Sequence, residues 1–152
     1  MEGIHQLLPK LKSLRLSGIL QTLEVRNKQA IDEKCTYVDF LQRLLEDEIE
    51  RRNQKQLELR LRRSSLEPMK TMESFDFQFD ASVYRQQNYD LATCGFVERA
   101  EGVWFLGPAG VGKSHLAQAL GHEAVRKGHD VLFAKPSAML NHLNGGRAGW
   151  HL

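Results

Sequence analysis

The feature that most constrains this chain is a glycine-rich octapeptide near its centre. Residues 107–114 read Gly-Pro-Ala-Gly-Val-Gly-Lys-Ser and match the pattern G-x-x-x-x-G-K-[ST] at every fixed position. Glycines let backbone N–H groups turn toward a triphosphate where a Cβ would block the approach. Lys113 is spaced to reach the β- and γ-phosphates, and the Ser114 hydroxyl to ligate Mg²⁺. The predicted phosphate and metal contacts are Gly107, Pro108, Ala109, Gly110, Val111, Gly112, Lys113 and Ser114.

The surroundings of this octapeptide favour the same interpretation. Residues 103–106 form a short apolar run that predicts a buried strand, and apolar residues recur at helical spacing over 116–125. A second strand is predicted at 131–134, so the phosphate would lie at the N-terminus of a helix. The alternative is a glycine-rich turn that carries Lys-Ser without function, which the agreement of motif and context disfavours.

Composition and charge set the class of protein. The chain has 152 residues, and no segment approaches the roughly 20 apolar residues of a membrane span, so we expect no membrane association. Two distant cysteines without a C-x-x-C pattern indicate reduced thiols in a cytoplasmic protein. Residues 1–70 carry 14 Lys and Arg against 11 Asp and Glu, an excess too small by itself to indicate nucleic acid.

The first 70 residues predict helices. Apolar spacing indicates one helix that breaks near Gly18 before a second, and Thr36 with Asp39 predicts the N-cap of a third, longer helix. That helix becomes basic toward its end, at Arg51, Arg52, Lys55, Arg60, Arg62 and Arg63. A solvated helix end and a contact with nucleic-acid phosphates explain this pattern equally well.

Three aromatic residues alternate with polar ones after a predicted linker. Phe75, Phe77 and Phe79 predict a short extended segment that packs on the following unit, with base stacking as the less favoured alternative.

Three histidines recur at intervals of seven residues. His115, His122 and His129 lack the i,i+3 or i,i+4 spacing of metal ligands on one helix, so we interpret them as surface or packing residues.

Segments along most of the chain, from residue 11 to residue 143, resemble the IstB-like ATP-binding helper proteins of insertion-sequence transposition. These proteins are relatives of the DnaC-type helicase loaders among the AAA+ ATPases. The resemblance rests on residues 11–18, 40–52, 70–77 and 107–117 taken together. The octapeptide alone is common to many ATPases, whereas the combination is much more specific.

The resemblance implies an α/β fold in which a helical, basic region (1–70) precedes an incomplete parallel sheet of a P-loop ATPase domain (71–152). It implies ATP and Mg²⁺ as cofactors, with duplex DNA, the transposase of the same element and further copies of the chain as partners. It also favours DNA contact as the role of the basic helix residues.

The sequence departs from the family after the octapeptide. No apolar strand ending in an acidic pair follows Lys113, and the sensor residues and arginine finger of the family are not found. We therefore expect a C-terminally truncated copy that binds ATP at most, and we assign no catalytic residue. The alternatives are a DNA-binding or interaction module with a vestigial loop and a small P-loop kinase.

Overall fold

The computed structural model describes residues 2–78 and 84–144, which form helices and connecting segments. The helices are α1 (Glu2–Ser13), α2 (Ser17–Asp32), α3 (Tyr37–Ser64), α4 (Arg85–Ala92), α5 (Gly95–Glu98), α6 (Lys113–Arg126) and α7 (Pro136–Asn144). Contacts divide the chain into two compact units, Met1–Gln56 and Leu57–Leu152. Among the described residues, no helix is both long enough and apolar enough to cross a membrane.

The first unit has a small apolar core shared by its helices. Ile19 and Leu23 of α2 are buried with Leu44 of α3, and four partly buried side chains pack around them: Ile4, Leu11, Leu16 and Phe40. The predicted break near Gly18 is confirmed as a break between two helices, and it lies at residues 14–16, because α1 ends at Ser13 and α2 begins at Ser17. Gly18 itself is in the first turn of α2. A Cβ built on Gly18 would lie 2.6 Å from the carbonyl oxygen of Asp47, so only glycine permits this close approach.

A buried carboxylate fastens the start of α2 to α3. Glu48 is 4% exposed, and its Oε2 accepts hydrogen bonds from the backbone N–H of Gly18 at 2.6 Å and of Ile19 at 3.3 Å. Its Oε1 accepts from Nε of Arg52 at 2.7 Å. Burial opposes ionisation of Glu48, but these hydrogen bonds outweigh it and lower the pKa. Glu48 therefore acts as a helix cap supplied by a neighbouring helix.

The predicted cap of α3 is also confirmed. The N–H of Asp39 donates to Oγ1 of Thr36 at 3.2 Å, and the Thr36 hydroxyl donates to the Asp39 carboxylate at 2.6 Å. This local exchange satisfies one of the unpaired N–H groups at the start of the helix.

The second unit is organised around α6. Leu116, Ala119 and Leu120 are buried with Met72, and five partly buried side chains pack on them: Phe75, Phe77, Leu91, Ala92 and Phe105. Gln118, 1% exposed, accepts a hydrogen bond from the N–H of Glu67 at 2.8 Å. The core of this unit thus joins α6 to the segment that precedes α4.

The predicted α/β fold with a parallel sheet is wrong for the described part of the chain, which contains helices and no strand. Residues 103–106 alternate between partly buried and exposed positions, with Trp104 85% and Leu106 88% exposed. In the segment 131–134, the N–H of Phe133 donates to the carbonyl oxygen of Ser64, at the end of a helix. The apolar runs carry strand propensity, but a strand forms only when a neighbouring strand accepts its backbone hydrogen bonds.

Candidate phosphate-binding site

Three glycines give the octapeptide its backbone shape. The φ angles are +152° at Gly107, +87° at Gly110 and +86° at Gly112, all in the region that L side chains rarely adopt. A Cβ built on Gly110 would meet no heavy atom within 4 Å, so this position faces open space. The motif glycines therefore permit a turn that other residues would adopt only with strain.

Helix α6 begins at Lys113, the lysine of the motif, directly after Gly112. Its first helical hydrogen bond runs from the N–H of Leu116 to the carbonyl oxygen of Gly112. The N–H groups of Lys113, Ser114 and His115 thus precede that bond at the positive end of a helix of 14 residues. Such an end favours an anion.

The two polar side chains of the motif lie at this same end. The ammonium group of Lys113 donates to the carbonyl oxygen of Pro108, across the loop, and Ser114 is exposed in the first turn. A phosphate group offers Lys113 a charged acceptor in place of that neutral carbonyl. Lys113 and Ser114 fit the triphosphate and magnesium expected from the sequence. Ala109 and Val111 have no polar side chain, so they can offer a phosphate only their backbone groups.

Phe75 and His115 pack beside the loop formed by residues 107–114. The ring of Phe75 lies so close to Gly112 that a Cβ there would be 2.6 Å from its Cε2 atom. The ring of His115 meets Phe75 edge to face, with centroids 5.1 Å apart. Nε2 of His115 lies 3.1 Å from the carbonyl oxygen of Thr71 and 3.2 Å from Oγ of Ser74. The packing role predicted for Phe75 and His115 is confirmed, whereas Phe79 lies outside the described residues.

His122 also has a structural role. It is 7% exposed, and its Nε2 lies 3.0 Å from the carbonyl oxygen of Glu67. Across the described residues, no cluster of three or more His, Cys, Asp or Glu side chains is arranged to hold a metal ion.

A cavity of about 410 Å³ opens beside the loop. Gly107, Pro108 and Lys113 line one part of it, and residues of α4 and of the segment 102–106 line another part. This volume is within the range of roughly 300–1,000 Å³ of small-molecule sites. No sequence pattern predicted the α4 contribution, because α4 carries no motif of its own.

The six predicted nucleic-acid residues all lie on α3, and among the described residues ion pairs engage two of them. Arg52 pairs with Glu48 at 2.7 Å, and Nε of Arg60 lies 3.4 Å from the carboxylate of Asp130. The side chain of Arg51 is partly buried. The other three are exposed and form no ion pair in the described part of the chain: Lys55, Arg62 and Arg63. The exposed cations are the ones that retain full access to an external phosphate.

Comparison with known families matches residues 9–149 to the IstB-like ATP binding protein family. The chain belongs to this family. It is 45% identical over 138 residues to a candidate ATP-binding protein of an insertion sequence in Mycobacterium tuberculosis, covering 91% of this chain and 55% of the relative.

Two further relatives carry similar names. The candidate ATP-binding protein of insertion sequence IS21 from Pseudomonas aeruginosa is 42% identical over 86% of this chain and 49% of its own length. That of IS5376 from Geobacillus stearothermophilus is 32% identical over 93% of this chain and 55% of its own length. The chain thus spans about half the length of the curated relatives it matches.

Proposed function

We propose that this chain binds ATP with Mg²⁺ through the P-loop (Walker A) at residues 107–114 and serves as an ATP-binding helper of DNA transposition. One observation carries the proposal: three glycines with positive φ lead directly into a helix whose first residue is Lys113. This is the backbone arrangement that presents N–H groups and a lysine to phosphates. Family membership and the names of the relatives support ATP as the nucleotide.

Each group in the loop takes a defined part. The N–H groups at the start of α6 bind the phosphate oxygens, and Lys113 turns from the Pro108 carbonyl to the β- and γ-phosphates. Ser114 ligates Mg²⁺ through its hydroxyl. The close contact between Gly112 and the ring of Phe75 holds the start of α6 in its position.

A titration with a fluorescent ATP analogue and Mg²⁺ tests this assignment. Lys113→Ala should weaken binding at least about tenfold, because it removes a charge-assisted hydrogen bond to phosphate. Lys127→Ala is the matched control, since Lys127 caps the far end of α6, about 20 Å away. The assignment fails if both variants bind as the unchanged chain does.

The proposal extends to duplex DNA, a transposase of the same element and self-assembly, with the cytoplasm as the compartment. The relatives named for insertion sequences support the link to transposition. Lys55, Arg62 and Arg63 on α3 support contact with DNA phosphates, because they are exposed and form no ion pair within residues 2–78 and 84–144.

Salt-dependent binding to duplex DNA tests the proposed contact between these cations and DNA. Changing Lys55, Arg62 and Arg63 together to Gln should reduce the slope of log K against log[salt] by about 3, near 0.9 per phosphate contact. The same change at three exposed lysines of the first unit, Lys12, Lys28 and Lys34, is the control and should leave the slope unchanged. DNA binding without any ATP binding would instead favour an interaction module with a vestigial loop.

A further inference from the structure

A buried amide lines the cavity beside the P-loop. Asn88 of α4 is 6% exposed, and it lines the same cavity as Gly107 and Lys113. Its Nδ2 donates to the carbonyl oxygen of Tyr84 at 2.9 Å. Its Oδ1 is buried and has no hydrogen-bond partner among the described residues. Buried polar atoms in folded proteins are nearly always paired with protein or ordered water, so this oxygen is a candidate contact for a ligand of the cavity.

The hydrogen bond to Tyr84 determines which end of the amide is free. A rotated amide would place its oxygen against the Tyr84 carbonyl, and two acceptors repel each other. The free group is therefore an acceptor, and it requires a donor from the occupant of the cavity. A hydrocarbon or an acceptor in its place would leave the oxygen unpaired at a cost in free energy.

We propose that Oδ1 of Asn88 accepts a hydrogen bond from the exocyclic amino group of adenine and thereby selects ATP over GTP. This inference rests on the proposed function, because the triphosphate at Lys113 brings the base into the same cavity. Adenine presents an amino donor at C6, whereas guanine presents a carbonyl oxygen there. That carbonyl would face Oδ1 acceptor to acceptor.

Two aromatic side chains in the cavity wall suit a planar base. Tyr84, at the start of α4, is 70% exposed, and Trp104 is 85% exposed. Exposed aromatic faces are stacking partners for a purine. Stacking accepts any purine, so discrimination between adenine and guanine falls to Asn88.

The first experiment leaves the protein unchanged and alters the ligand. ATP, GTP, purine riboside triphosphate (which lacks the amino group) and inorganic tripolyphosphate compete with a fluorescent ATP analogue on the full chain. ATP should bind about tenfold more tightly than purine riboside triphosphate, because one hydrogen bond contributes about this factor to affinity. GTP should bind more weakly than either. Equal affinities for the three nucleotides would overturn the inference about Asn88.

The second experiment removes the acceptor. Asn88→Leu should weaken ATP binding about tenfold, abolish the preference over GTP and leave tripolyphosphate affinity unchanged. Gln86→Leu makes the same kind of change on α4 at a side chain that bonds Asp90, and it should alter none of these affinities. An unchanged ATP preference in a folded Asn88→Leu chain would overturn the inference.

The two experiments separate this inference from the proposed function. Tripolyphosphate binding that depends on Lys113, without preference among the bases, retains the P-loop and rejects the role of Asn88. Failure of every triphosphate to bind rejects both.

Discussion

The ring of Phe75 lies against the α-carbon of Gly112. A Cβ built on Gly112 would stand 2.6 Å from Cε2 and 3.0 Å from Cζ of that ring, closer than nonbonded carbons approach. Gly112 also has a φ of +86° and immediately precedes α6. One glycine therefore meets two requirements, a left-handed backbone and room for an aromatic ring, at the start of the helix that carries Lys113.

Two glycine substitutions separate these requirements. Gly110→Ala introduces only backbone strain, because φ is +87° but the space is open, and should lower the free energy of unfolding by about 1 kcal/mol. Gly112→Ala adds the collision with Phe75 and should lower it by roughly 2–4 kcal/mol. Urea unfolding followed by circular dichroism measures both. Phe75→Leu should restore part of the loss in the Gly112→Ala chain, and equal losses at the two glycines would contradict this account.

The sequence predicted local structure in the first unit well. The break between α1 and α2, close to Gly18, and the cap at Thr36 depend on neighbouring residues and general rules, so pattern alone could predict them. Glu48 shows the limit of such rules: it caps α2 from a residue 30 positions away, which no local pattern encodes. The helix start has no side-chain cap of its own at Leu16.

The predicted sheet failed because it depends on distant partners. Residues 103–106 have the composition of a strand, yet Trp104 and Leu106 lie exposed and the segment pairs with no strand among the described residues. The octapeptide itself stays a prediction of phosphate contact, supported by the φ angles of its glycines. No sequence pattern predicts a role for Asn88, because a single amide on a short helix has no recognisable spacing.

Removing the carboxylate of Glu48 should destabilise the first unit. Glu48→Ala leaves the N–H groups of Gly18 and Ile19 without their buried acceptor, which should lower the free energy of unfolding by about 2–3 kcal/mol. Glu46→Ala, at an exposed residue of the same helix, should cost less than about 0.5 kcal/mol. Urea unfolding of the two variants makes the comparison. Similar small losses would show that the capping bonds contribute little.

The two thiols should react at very different rates. Cys94 is 1% exposed, and burial raises the pKa of its thiol. Cys35 is partly exposed. Its partial burial is the main reason why the pKa of its thiol is also raised, and a hydrogen bond to Glu33 adds to the effect. Labelling with a disulfide reagent at pH 8 should show a fast thiol and one slower by on the order of 100-fold.

Single substitutions assign the two labelling phases. Cys35→Ser should remove the fast phase, and Cys94→Ala the slow one. The slow rate should rise with urea below the unfolding midpoint, since Cys94 reacts only when the second unit opens. Fast labelling of Cys94 in the native chain would contradict its burial.

Acid should weaken the first unit through Arg26 and Asp47. Nε and Nη2 of Arg26 donate to the two carboxylate oxygens of Asp47 at 2.9 and 2.7 Å. These hydrogen bonds outweigh burial and lower the pKa of Asp47 from 3.8 to about 2. Because the folded pKa lies below the unfolded one, the pair stabilises the fold fully above about pH 4 and loses that contribution as pH falls toward 2.

A difference measurement isolates this pair from the other acidic groups. Asp47→Asn should be less stable than the unchanged chain by roughly 1 kcal/mol at pH 7, a value reduced for solvent screening of the partly exposed arginine. Because the other carboxylates titrate alike in both chains, their contributions cancel in the difference. Urea unfolding at intervals from pH 7 to pH 2 should then show the gap closing between pH 4 and pH 2. A gap that stays constant across this range would mean that hydrogen bonding to either protonation state, rather than the carboxylate charge, holds Arg26 in place.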